Sequence, residues 1–149
     1  MIKKIVVPLD GSTLAEKALP YAKELAQKFE AQLILVRVLI IPPEIVVAGP
    51  RGMVFHRQAE EERAEATAYL NQLVNKLNIE QFPVRSILLE EHPAAESIVD
   101  LATQESADLI VMCTHGRSGV SRWIHGSVAN KVLQHTPCPI FLVRSSESD

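Results

Sequence analysis

Several things are missing from this chain, and each absence narrows what it can be. Its longest apolar runs are about seven residues, far short of the roughly 20 that a membrane-spanning helix needs. Basic residues are not in excess: 15 Lys and Arg against 18 Asp and Glu leave a net charge of −3, spread along the chain. That is not the electrostatic footprint of a nucleic-acid binder. There are two cysteines, Cys113 and Cys138, too few for a disulfide framework and without metal-ligand spacing. Met1 leads directly into "IKKIVVPLD", which reads as a strand rather than a signal peptide. A reducing cytoplasm is the expected compartment. No internal repeat and no boundary divides the chain, so residues 1–149 are expected to form one domain, a usual size for a single core.

Apolar runs of strand length recur instead. They are "KKIVVPL" (3–9), "QLILVRVL" (32–39), "PVRSILLE" (83–90), "DLIVMCT" (108–114) and "CPIFLVR" (138–144). Several are continuous rather than alternating, as in strands covered on both faces of a parallel sheet. Helical spacing appears between them, over 12–29, 56–78, 93–106 and 127–135. Pro20 predicts a kink or a late start in the first helix. Pro93 fits a first helical position. Residues 40–55, "IIPPEIVVAGPRGMVF", read as irregular, either a loop packed on the body or a lid or partner contact. The tail "SSESD" reads as disordered. The alternation β-α-β-α-β-α-β-α-β predicts an open α/β sheet with right-handed crossovers.

Sheets of this type hold ligands beyond the carboxyl ends of their strands, where the strand order reverses. Two strand ends carry suitable residues. The first runs into "PLDGS", which places Asp10 in a turn before helix one. The fourth runs into "CTHGRSGVSRWIHGS" (113–127). Gly116 and Gly119 permit close approach of an anion, and Arg117 and Arg122 add positive charge. Ser127 stands where an N-cap belongs, at a helix end whose first amides lack internal partners. Taken singly, Asp10 and Gly126-Ser127 are ordinary helix caps. Taken together with the glycine loop, they favour phosphate binding. There is no GxxxxGK[ST] or GxGxxG motif. The five histidines lack metal spacing, and no Ser/His/Asp set can be assembled, so no catalytic residue is assigned. Trp123 reads as a packing residue. A thiol at position 113, beside a helix N-terminus and arginines, can have a lowered pKa, which leaves a redox role as a minor alternative.

These residues resemble the universal stress protein family, through "KKIVVPLDGS", "LVRV" and "SADLIVMCTHGRSGVSRWIHGSVANKVLQHTPCPIFLVR". The family's nucleotide-binding branch carries Gly, two residues, Gly, nine residues, Gly, then Ser or Thr. Gly116, Gly126 and Ser127 match it, while Cys113 occupies the place of the first glycine. The resemblance implies a Rossmann-like, three-layer fold of the adenine nucleotide alpha-hydrolase-like type, with five parallel strands in the order 3-2-1-4-5. It implies Pro8 and Asp10 by the adenosine, and the Val38 backbone on adenine. Met112 and Cys113 would line the nucleoside. Gly116, Arg117, Gly126, Ser127 and Val128 would surround the phosphates, with Mg²⁺ or Mn²⁺. It also implies a homodimer through the last strand, Pro139 to Arg144. The expected function is a cytoplasmic stress-response protein that binds ATP or a related adenine nucleotide as a switch, with at most slow hydrolysis. The alternative is a dimeric interaction protein of the same family that binds no nucleotide. A Cβ at position 113 predicts weakened rather than abolished binding.

Overall fold

A computed structural model of the chain describes residues 1–40, 50–78, 83–90, 93–114 and 126–144. The tail from 145, residues 41–49 of the irregular segment, and Gly116, Arg117, Gly119, Arg122 and Trp123 lie outside the described residues.

Five strands form one parallel sheet: β1 (Lys4–Leu9), β2 (Gln32–Val38), β3 (Val84–Leu89), β4 (Leu109–Cys113) and β5 (Ile140–Val143). Their order is β3-β2-β1-β4-β5, as the family resemblance implies. Because side chains alternate along a strand, each central strand feeds two cores. Ile5, Val7, Leu33, Leu35 and Val111 point to one face, where they meet α1 (Thr13–Glu16), α2 (Leu19–Phe29) and α3 (Pro50–Asn78). Val6, Ile34, Val36, Ile110 and Met112 point to the other, against α4 (Ala94–Gln104) and α5 (Ser127–His135). Two buried faces explain why the strands read as continuous apolar runs.

One helix break follows the expectation and two helix starts depart from it. The 12–29 helix breaks into α1 and α2, with Pro20 in the first turn of α2, where a missing N–H leaves no intrahelical bond unmade. Residues 50–55 belong to α3 rather than to an irregular segment. Pro50 opens that helix, so a residue that reads as a breaker acts here as an initiator. Pro93 is the N-cap of α4, with extended angles, and Ala94 is the first helical residue.

The amino end of the sheet is held by charged groups. Asp108 Oδ2 accepts from the backbone N–H of Lys3 (2.8 Å) and Lys4 (3.0 Å). Glu105 pairs with Arg85 of β3 and with Lys4 of β1, so one carboxylate ties the start of β1 to β3 across the end of α4. These bonds hold both carboxyls below their usual range: Arg85 first for Glu105, the backbone amides first for Asp108. The resulting stability is fully present above the unfolded carboxylate range, about pH 4, and is lost as pH falls through the lower folded values. Asp108→Asn is therefore expected to lower the Tm at neutral pH and to flatten its fall below about pH 4. A Tm-against-pH profile parallel to that of the wild type would contradict this role.

Candidate functional site

The sheet is not paired evenly. β1 and β2 stay in register from Lys4↔Gln32 to Leu9↔Arg37, and β4 and β5 to Cys113↔Val143. Between them, β1 and β4 pair only at Ile5↔Leu109 and Val6↔Ile110. The β1–β4 hydrogen-bonded ladder ends there, at the switch point where β1 crosses on one side to β2 and β4 crosses on the other to β5. A cavity of about 280 Å³ opens there.

The residues expected at a ligand site converge on this cavity. Pro8, Asp10 and Val38 line one side, Met112 and Cys113 the other, and Gly126, Ser127 and Val128 close the end at α5. Gly116 and Arg117 lie outside the described residues. The walls are mainly apolar. Ala94 and Ile98 of α4 and Ile40 beyond β2 are among the further lining residues, and the sequence reading did not include these three. A helix that follows β3, two strands away, carries no local sign that its first turn reaches the switch point.

Asp10 ends β1 in a tight turn. Its Oδ1 accepts from the Ser12 N–H (2.9 Å) and from Ser12 Oγ (2.5 Å). Ser12 Oγ in turn accepts from the Ala15 N–H (3.1 Å), so Ser12 is the N-cap of α1. Asp10 thus orients the cap rather than capping the helix itself. Gly11 takes φ +84°, and a Cβ there would sit 3.1 Å from the Arg37 guanidinium carbon. That guanidinium lies over the Tyr69 ring, 5.3 Å from its centre. Burial, then the neighbouring Glu16 carboxylate, pushes the Tyr69 hydroxyl well above its ordinary range. Its oxygen is buried without a partner at hydrogen-bonding distance among the described residues.

At the opposite wall, α5 begins at the expected cap position, so its cap falls one residue earlier. Gly126, not Ser127, is the N-cap, and no side chain caps this end. The Gly126 N–H donates to the Thr114 carbonyl (2.5 Å), and the first bond inside the helix runs from Asn130 N–H to the Gly126 carbonyl (2.9 Å). The N–H groups of residues 127–129 therefore precede the first intrahelical bond, at the positive end of the helix dipole. Val128 is an apolar side chain left 37% exposed beside them. This end of the cavity suits an anion and the rest suits a flat apolar group. Among the described residues no group of three or more His, Cys, Asp or Glu could hold a metal ion.

Cys113 corrects one expectation, the lowered thiol pKa. It lies within β4 and is not among the described residues with positive φ, so a Cβ imposes no backbone strain. Its sulfur turns to the α1 layer and donates to the Ala15 carbonyl at 3.6 Å, away from the N-terminus of α5. Burial dominates there and pushes the thiol pKa up, not down, which removes the ground for a reactive thiolate. Cys113→Gly is expected to leave ligand affinity within about twofold and to destabilise the fold by about 1–3 kcal/mol, through lost packing and added chain entropy. A tenfold gain in affinity, read by calorimetry, would show instead that the side chain obstructs the ligand.

Comparison with known proteins places the chain in a family. A profile described as the universal stress protein family matches residues 1–144. The universal stress protein MJ0531 of Methanocaldococcus jannaschii is 31% identical over 150 residues, covering 100% of this chain and 86% of its own. A Thermus aquaticus universal stress protein is 33% identical, over 97% of this chain and 100% of its own. The solved structure of the hypothetical protein MJ0577 superposes with a TM-score of 0.86 at 28% identity, covering 99% of both chains. No helix among the described residues is long and apolar enough to cross a membrane.

Proposed function

Because the chain belongs to the universal stress protein family, we propose that the crevice between β1 and β4 binds ATP or a related adenine nucleotide as a regulatory switch in a stress response in the cytoplasm. The observation that carries this reading is the composition of the cavity. One apolar chamber joins a carboxylate at the end of β1 to an uncapped helix N-terminus at the end of β4. A nucleotide has the matching three parts: a flat base, a ribose with hydroxyl donors, and an anionic tail.

The base would lie between Pro8, Val38, Ile40 and Met112. Along β2, Gln32 N–H donates to β1 and Leu33 and Leu39 N–H donate to β3, and alternate residues face opposite neighbours. Val38 therefore faces the β1 side, at the point where β1 has turned away after Leu9, and its carbonyl suits the exocyclic amine of adenine. Asp10 would accept from the ribose hydroxyls. The amides of α5, with Ser127 and Val128, would hold phosphate oxygens, and by the sequence pattern Gly116 and Arg117 would join them. Mg²⁺ or Mn²⁺ would ride on the phosphates. Solved structures of the same fold, at 20% and 21% identity, are complexes with cAMP and dAMP. They bear on what the fold can hold.

We further propose that the working form is a homodimer paired through β5 (Pro139 to Arg144). β5 is the last strand in the sheet order. Its Phe141 is 40% exposed and packs beside the exposed Tyr21, ring centres 5.7 Å apart. An edge with an exposed aromatic pair suits strand addition by a second copy. The alternative is an interaction protein that holds no nucleotide, for which Met53, Val54 and Phe55, exposed on the first turns of α3, would be the contact.

The two readings separate on one test. Protein incubated with a mixture of nucleoside triphosphates and Mg²⁺, desalted and denatured, should release an adenine nucleotide identified by mass. Release of a different base, or of none, sinks the nucleotide reading.

A further inference from the structure

We propose that Pro8 is the residue that opens the site: by lacking an N–H, it stops β1 from pairing with β4 and so creates the crevice. The inference rests on the nucleotide reading only for its functional consequence.

A proline in a central strand is unusual, because it removes a ladder donor. Which ladder loses it follows from the bonds on either side of β1. The Lys3 carbonyl accepts from Gln32 of β2, and the Lys4 carbonyl accepts from Asp108, immediately before β4. Alternate residues face alternate neighbours, so residues 4, 6 and 8 face β4, while 5, 7 and 9 face β2. The nitrogen of Pro8 is therefore on the β4 side. On β4, the N–H groups of Ile110 and Thr114 donate to β5, so Val111 and Cys113 face β1. Continued register would bring the residue 8 N–H to the Val111 carbonyl, and that donor does not exist.

The observed pairing ends where this predicts. β1–β4 register stops at Val6↔Ile110, whereas β1–β2 register continues through Pro8↔Val36 to Leu9↔Arg37. The loss is confined to the side that faces β4. The residues just beyond the last pair, Pro8 to Asp10 on one strand and Met112 to Thr114 on the other, are the ones that line the cavity. Pro8 is itself buried and in β1, so its effect is not that of an exposed strand end. It acts as a positioning residue, through the spacing of two strands.

Pro8→Val and Pro8→Ala both restore the donor, one with a side chain of similar bulk and one without. In each, amide hydrogen exchange of residue 8 should be slowed to the range of its neighbours in β1, because the new N–H reaches the Val111 carbonyl. Affinity for ATP with Mg²⁺ should fall by about tenfold or more in both variants, equivalent to about 1.4 kcal/mol. A residue 8 amide that exchanges at the random-coil rate would overturn the proposal. So would a protected amide with affinity within about twofold of wild type, or a loss confined to the alanine variant, which would assign Pro8 to contact alone. If the wild-type protein binds no adenine nucleotide, the proposed function falls. The exchange measurement then decides by itself whether Pro8 holds the strands apart.

Discussion

Ser127→Asp is expected to stabilise the free protein and to abolish most of its affinity for ATP, two effects of opposite sign from one carboxylate. Ser127 is the first residue of α5, and no side chain caps that end. A negative charge in a first turn interacts favourably with the helix dipole and is worth about 0.3–1 kcal/mol. The same charge would stand where the phosphates are proposed to bind. Charge pairs a few ångströms apart near a protein surface interact by several kcal/mol before screening, so a fall of about 100-fold or more is expected, some 2.7 kcal/mol. Adenosine has no phosphate, and its affinity should change by no more than about twofold. Thermal melting without ligand, with calorimetry for ATP and adenosine, reads all three. Equal losses for ATP and adenosine would move the phosphates away from α5.

Gly11→Ala is expected to be the most damaging small substitution in the site. Two separate penalties act there. The backbone is at φ +84°, where an L-residue is strained by about 1–3 kcal/mol. The new Cβ would also come within 3.1 Å of the Arg37 guanidinium, whose retreat is limited by its packing on Tyr69. A fall in Tm of roughly 3–10 °C is expected for a chain of this length. Nucleotide binding should weaken as well, because Gly11 adjoins Asp10 in the turn that aims its carboxylate. Combining Gly11→Ala with Arg37→Ala separates the penalties. The double variant should regain the part due to contact and keep the part due to φ. Complete recovery would mean that the backbone conformation itself is not strained.

The fold was largely legible in the sequence because its strands are buried on two faces. Runs such as "QLILVRVL" have no polar side to confuse the period, and the observed strands fall inside the expected ranges with one to three residues trimmed. The helix ends were less legible, for a physical reason. Pro50 breaks a helix in its interior and starts one at its first position, and local sequence does not say which. At α5, Gly126 and Ser127 are both acceptable caps. The choice belongs to the bond from Gly126 N–H to the Thr114 carbonyl, a contact that spans the segment between them.

The site shows the same division. Asp10 and Ser127 were legible because they stand at a strand end and a helix start, positions that a parallel sheet turns into a ligand crevice, whereas Met112 came only from the family resemblance. Ile98 was not, because α4 reaches the switch point only through its packing on the α4/α5 face of the sheet. Cys113 was misread for a similar reason. The residues that follow it in sequence are polar and basic, but the group its sulfur meets is the Ala15 carbonyl, 98 residues away. Burial against α1, invisible locally, reverses the expected direction of its pKa. Pro8 could be read as a contact, but its effect on pairing requires knowing that β4, not β2, lies on its nitrogen side.

Calorimetric titration of the purified protein with ATP and Mg²⁺ tests the central claim most directly. The account predicts saturable heat with one nucleotide per chain, a rise in Tm that grows with ATP concentration, and weaker binding for a triphosphate whose base lacks the exocyclic amine of adenine. No heat and an unchanged Tm at millimolar ATP would contradict it.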